Sequence, residues 1–286
     1  MPPARYAPTP MATTPTDLFA LTASNADRLA RRLAELQTGA DIADFVSCVT
    51  DRARVSCNAW STKVVPLLRD DRYPTPYEIA RERSVREGGD PEDHLRDHQK
   101  EYYARRVGFD RSFQNGEQFR YGALNVGNLG AYEYGAYCIV LRPPSEETRV
   151  ALLPENSLER YIDPETCAVD ESRIADEGGP WRCRAHIAAL KHGAAAAATE
   201  PRAWPDLVCG CGRQGPFIEA ILGDPIDRAR VEALRVDRER HEHFEAVTAD
   251  ALLDIAAPHD IVDLVGHKEV LAALREAGLQ HLYTVV

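Results

Sequence analysis

Residues 120–142, RYGALNVGNLGAYEYGAYCIVLR, carry four Tyr, four Gly and two Asn and then run directly into the apolar stretch YCIVLR. A plain turn needs one or two glycines. Glycines at 122, 127, 130 and 135, set among tyrosines, predict a loop whose backbone approaches something closely before it enters a strand. The simpler reading is a hairpin with a glycine-rich turn and a tyrosine-lined face. Both readings put a β-sheet at the centre of the chain.

Helical periodicity frames that sheet. DLFALTASNADRLARRLAELQTGADIADFVSCVTDR has leucines 21, 29, 33 and 36 at helical spacing, with Gly39 as a stop. ARVSCNAW alternates as a strand should, with Val55, Cys57 and Ala59 on one face. PFIEAILGD reads as a second strand, and VEALRVD as a strand or a helix start. ALLPENSLERYID contains another short strand and a turn. Residues 87–100 are almost wholly charged and polar and read as an exposed excursion or the polar start of a helix. Residues 164–205, with an alanine run at 194–198, read as a variable region. Near the C-terminus Val270, Leu271, Leu274 and Leu279 mark an amphipathic helix. The pattern predicts an α+β fold: a disordered tail (1–16), a helical segment (17–53) and an α+β domain (54–286).

Composition excludes several functions. A net charge of -11 argues against broad nucleic-acid binding, which needs a basic surface to neutralise phosphates. No apolar run reaches membrane-spanning length, so no membrane partner is expected. Seven cysteines, an odd number, fit a reduced cytoplasmic chain or one delivered by a specialised secretion route.

Glu219 is the carboxylate that draws attention. Strand alternation puts it on one face with Phe217 and Ile221, and Ile218 and Ala220 on the other. A carboxylate on a partly buried face is costly unless it is paired or hydrogen-bonded. It is therefore either functional, paired with an Arg for structure, or at a sheet edge. Tyr121, Tyr132, Tyr134 and Tyr137 offer ring faces. Neither GxGxxG nor GxxxxGK[ST] occurs in the segment, so no dinucleotide fingerprint or phosphate loop is present there. Cys183, His186, Cys209 and Cys211 are a weak zinc alternative, because CxC with a distant CxxH is not a common knuckle. The HEH at 241–243 reads as a solvated charged helix or loop.

VSCNAWSTKVVPLLRDDRYPTPYE, FRYGALNV and PFIEAILGDPIDRARVEALRVD together resemble a bacterial family with RY.SQFE, KYGALN and EA..HGP blocks, whose layout is similar to that of ADP-ribosyltransferase toxins. The likeness covers under a third of the chain. Arg72, Tyr73 and Glu78 fall in its first block, Tyr121 and Asn125 in its second and Glu219 in its third. Two departures stand out: IARERS follows Glu78, and ILGDP follows Glu219 where the family carries a His. The resemblance implies a strand-rich core that uses NAD as substrate, splitting it and passing ADP-ribose to a macromolecule or to water. Glu219 would be the catalytic carboxylate, Arg72 or Arg120 an anchor for phosphate or ribose, and Tyr121 or Tyr134 a ring platform, with Asn125 beside them. A non-catalytic nucleotide-binding or protein-interaction module on the same scaffold is the alternative.

Overall fold

The computed structural model describes residues 14–37, 42–210, 217–252 and 258–286. Its described residues form a mixed helix-and-sheet fold of the α+β class. The strands are β1 (Arg54–Ala59), β2 (Arg120–Asn125), β3 (Tyr137–Leu141), β4 (Val150–Leu153), β5 (Gly179–Pro180), β6 (Glu219–Leu222), β7 (Val231–Val236) and β8 (Tyr283–Val285). They join in one sheet ordered β5-β4-β6-β2-β1-β3-β7-β8. Neighbours are antiparallel except β7 and β8, which are parallel.

Alternation sorts the strand residues onto two faces. Val55, Cys57, Leu124, Ile139, Leu141, Leu152, Ala220, Leu222, Leu234 and Val236 turn to one side and make the main core. Helices Ala43–Arg52, Ser61–Arg69, Arg184–Ala197 and Pro258–Glu276 close that side with Phe45, Leu67, Ile187 and Leu274. Ala151, Leu153 and Ile221 turn to the other face and pack with Leu18, Phe109, Phe113, Phe119 and Tyr161. Thr16 is tied to this layer: its N–H donates to Ser112 O and its hydroxyl to Glu171. The helices of 17–53 thus share a core with the sheet, Phe45 and Val49 packing among its strand residues.

Register opens the sheet at its centre. β1 and β2 pair over Arg54↔Asn125, Val55↔Leu124 and Ser56↔Ala123. Beyond that point β1 follows β3 as far as Ala59↔Tyr137, while β2 follows β6 as far as Arg120↔Leu222. The two strands part between Ser56 and Asn58 on one side and Tyr121 and Gly122 on the other. Gly122 is needed at the fork, because a Cβ there would stand 2.5 Å from the Ser56 carbonyl oxygen.

The polar stretch after Glu87 is helical. Asp90 caps the helix Pro91–Gln99 by accepting from Glu92 N at 2.8 Å, with Pro91 at its first position. The alanine run lies largely within the helix Arg184–Ala197, where low side-chain entropy cost favours helix. The HEH sits on the helix Arg238–Leu252, and there the solvated reading holds only in part. His243 is exposed, but His241 turns inward, its Nδ1 3.2 Å from the Tyr283 hydroxyl and its ring 6.0 Å from that of His267.

Candidate functional site

A cavity of about 330 Å³ occupies the fork between β1 and β2. This is within the usual size range for small-molecule sites, about 300–1,000 Å³. Ser56 and Asn58 reach it from β1, Tyr121, Gly122 and Ala123 from β2, and Glu219 from β6. Tyr73, Pro74 and Thr75 form one wall. That wall is rigid for a local reason. Thr75 accepts from Glu78 N at 3.2 Å and Glu78 returns a bond from Thr75 N at 2.7 Å, a reciprocal cap with Pro76 at the helix start.

Glu219 is 5% exposed on an interior strand, so the edge-strand reading does not apply. Its Oε2 accepts from Ser157 N at 2.7 Å. Burial pushes its carboxyl above the usual range, against the pull of Arg106 and the Ser157 bond. Next to it lies a second buried carboxylate. Asp110 is pushed up to about 6 by burial, with Arg106 opposing, and it accepts from the Tyr121 hydroxyl. Arg106 bridges the group: its guanidinium stands 3.7 Å from the Tyr121 ring centroid and 3.8 Å from Asp110 Oδ1. Burial disfavours the Arg106 charge, but Tyr121, Asp110 and Glu219 outweigh it and keep the guanidinium ionised.

Four of the six residues read from the sequence line the cavity: Glu219, Arg120, Tyr121 and Tyr134. Tyr134 is half exposed, edge-on to Phe217 with 6.1 Å between centroids. Arg120 already spends donors on Tyr73 O at 3.2 Å and Gln118 O at 2.7 Å, so it also holds the wall. The other two do not line it. Arg72 is partly exposed, paired with Glu82 and 3.7 Å from Glu78. Asn125 is buried in a turn, where its Oδ1 accepts from Gly127 N and Asn128 N and its Nδ2 donates to Ser56 Oγ and Asn128 O.

Arg106 and Asp110 were not singled out in the sequence. The sequence signal for them is weak: on the helix Tyr103–Ser112 they share a stripe with Phe109, at i, i+3 and i+4, but two of these three positions are charged and no apolar face announces burial. Lys63 and His98 also line the cavity unannounced.

The zinc alternative finds no support among the described residues, where no group of three or more His, Cys, Asp or Glu side chains is placed to hold a metal. Cys183 packs in the main core and Cys209 with Ala123, Ala131 and Phe217, while Cys211 lies outside the described residues. No helix among the described residues is long and apolar enough to cross a membrane. No family model matches the chain, and no curated protein matches it.

Proposed function

We propose that the cavity binds NAD and that Glu219 supports cleavage of the bond between nicotinamide and ribose, with ADP-ribose passing to a macromolecule or to water on an ADP-ribosyltransferase-like core. One observation carries the reading. In a chain of net charge -11, this cavity is lined by three basic side chains, Lys63, Arg106 and Arg120, and by one carboxylate, Glu219. Cations suit a pyrophosphate, the rings of Tyr121 and Tyr134 suit a planar base, and a buried carboxylate suits a sugar that becomes cationic.

In the reaction the C1′–N bond breaks and its electron pair leaves with neutral nicotinamide. Ionised Glu219 stabilises the oxocarbenium-like ribose, directly or through a ribose hydroxyl that donates to it. An acceptor oxygen or nitrogen, or water, then bonds to C1′ and gives up its proton. Because burial raises the Glu219 carboxyl, turnover rises with pH as that carboxyl ionises.

A non-catalytic nucleotide-binding module is the second reading, favoured by the same burial, which draws Glu219 towards its neutral form. Incubating the purified chain with NAD, with and without cell lysate, separates the two. Nicotinamide release that vanishes in Glu219→Gln supports cleavage, and dependence on lysate supports transfer. Thermal stabilisation by NAD without release supports the binding module. Full release in Glu219→Gln removes Glu219 from the chemistry.

A further inference from the structure

The three cations of the cavity differ in what they already hold. Arg120 donates to two backbone carbonyls, and Arg106 is stacked on Tyr121 beside Asp110. The Lys63 ammonium has no hydrogen bond or ion pair among the described residues; it stands over the Tyr73 ring, 5.4 Å from the centroid. It is one of four lysines in the chain.

Its position is unfavourable for a cation on two further counts. Lys63 lies in the first turn of the helix Ser61–Arg69, where the helix dipole repels positive charge, and that turn has no side-chain cap. It is also partly buried, with Arg106 and Arg120 adding repulsion. An unpaired cation kept at such a point, facing a cavity, is explained by an anion that the cavity receives.

We propose that Lys63 is the phosphate anchor of this cavity, the point charge that takes a phosphoryl or pyrophosphoryl group of the ligand and fixes its orientation against Glu219. The inference rests on the nucleotide reading of the cavity for the identity of the ligand, and on the unpaired cation for the role. A compact ammonium suits phosphate without the bidentate geometry of an arginine.

The anchor titrates. Burial, opposed by the nearby Cys57 thiol, lowers Lys63 to about 8. The groups facing it from neighbouring elements do not share that window. Cys57 is pushed up to about 12 by burial, Tyr73 is raised by burial, His98 is lowered by burial, and Arg106 and Arg120 stay cationic. The Lys63 charge is present below about 8 and lost above it, so anion affinity falls as pH rises.

The test is calorimetric binding of ADP-ribose and of inorganic pyrophosphate to the full chain at pH 7 and pH 9, using wild type, Lys63→Met and Lys63→Arg. Wild type should bind both probes and lose about tenfold in affinity between the two pH values. Lys63→Met should bind about tenfold more weakly at pH 7, show little further loss at pH 9, and melt no lower than wild type. Lys63→Arg should hold its pH 7 affinity at pH 9. Absence of binding of either probe to wild type at millimolar concentration overturns the proposal. So does a Lys63→Met variant that binds both probes like wild type. Lys63-dependent binding with no nicotinamide release keeps the anchor and removes the NAD-cleaving reading. Nicotinamide release with binding indifferent to Lys63 does the reverse.

Discussion

Two regions of this molecule bury titratable groups, and they use them differently. Around His267, 2% exposed, rings fill the space: Phe244 stacks on it at 4.2 Å, the Tyr137 hydroxyl bonds to its Nδ1 at 2.9 Å, and His241 and Tyr283 close the group. That cluster fastens the helices Arg238–Leu252 and Pro258–Glu276 and strand β8 to the sheet. Around Glu219 the burial is similar, but a cavity of about 330 Å³ remains beside the charged groups. Burial of a polar group is therefore a weak marker by itself. What distinguishes the fork is open space beside its charged groups, one of which, the Lys63 ammonium, has no ion pair among the described residues.

The largest effect that tests this contrast is on turnover. Glu219→Gln should cut nicotinamide release by about 10³-fold, the scale of removing an electrostatic contact made in the transition state. Its melting temperature should not fall, because a buried carboxyl that resists ionisation is removed and the amide oxygen still accepts from Ser157 N. A large drop in melting temperature with turnover retained would move Glu219 to the structural side.

The second test reads stability against pH. Burial lowers His267 to about 4, below the usual value of 6.5. Its unfolded form therefore binds protons first, and the stability it contributes is full above about 6.5 and lost as pH falls towards 4, by up to about 3 kcal/mol. Asp110 has the opposite sign: raised from 3.8 to about 6, it contributes fully at low pH and loses that contribution as pH rises through about 6. Urea unfolding across this range should show a shallower acid loss in His267→Leu with nicotinamide release unchanged. A His267→Leu acid limb as steep as that of wild type would remove this residue from the account.

Asn125→Ala should cost about 2–3 kcal/mol in the same assay, since several buried bonds of the 125–128 turn go with it. Loss of turnover in this variant without loss of stability would place Asn125 in the site instead. The smallest effect belongs to Arg72→Ala. Its ion pairs are partly exposed, so stability should change by about 0.5 kcal/mol or less and turnover should hold.

Much of this architecture was legible residue by residue. Val55, Cys57 and Ala59 on one face of β1, and Glu219 with Ile221 on one face of β6, follow from a strand period of two. The helices 184–197 and 91–99 were harder, because an alanine run and a charged run carry little amphipathic signal. Asn125 was less legible: a short amide two residues before Gly127 is also a turn former, and its hydrogen bonds go to that turn and to Ser56.

What the sequence determined by itself was local: which segments extend or coil, which side of each faces inward, and that one carboxylate sits in an apolar strand. Tertiary structure alone decided that β2 pairs with β6 and β1 with β3, so that the sheet opens between Ser56 and Gly122. It alone brought Lys63, Arg106 and Glu219, spread over more than half the chain, around one cavity. The physical reason is that strand register and helix docking are set by contacts between distant segments, while periodicity reports only the segment in which it is read.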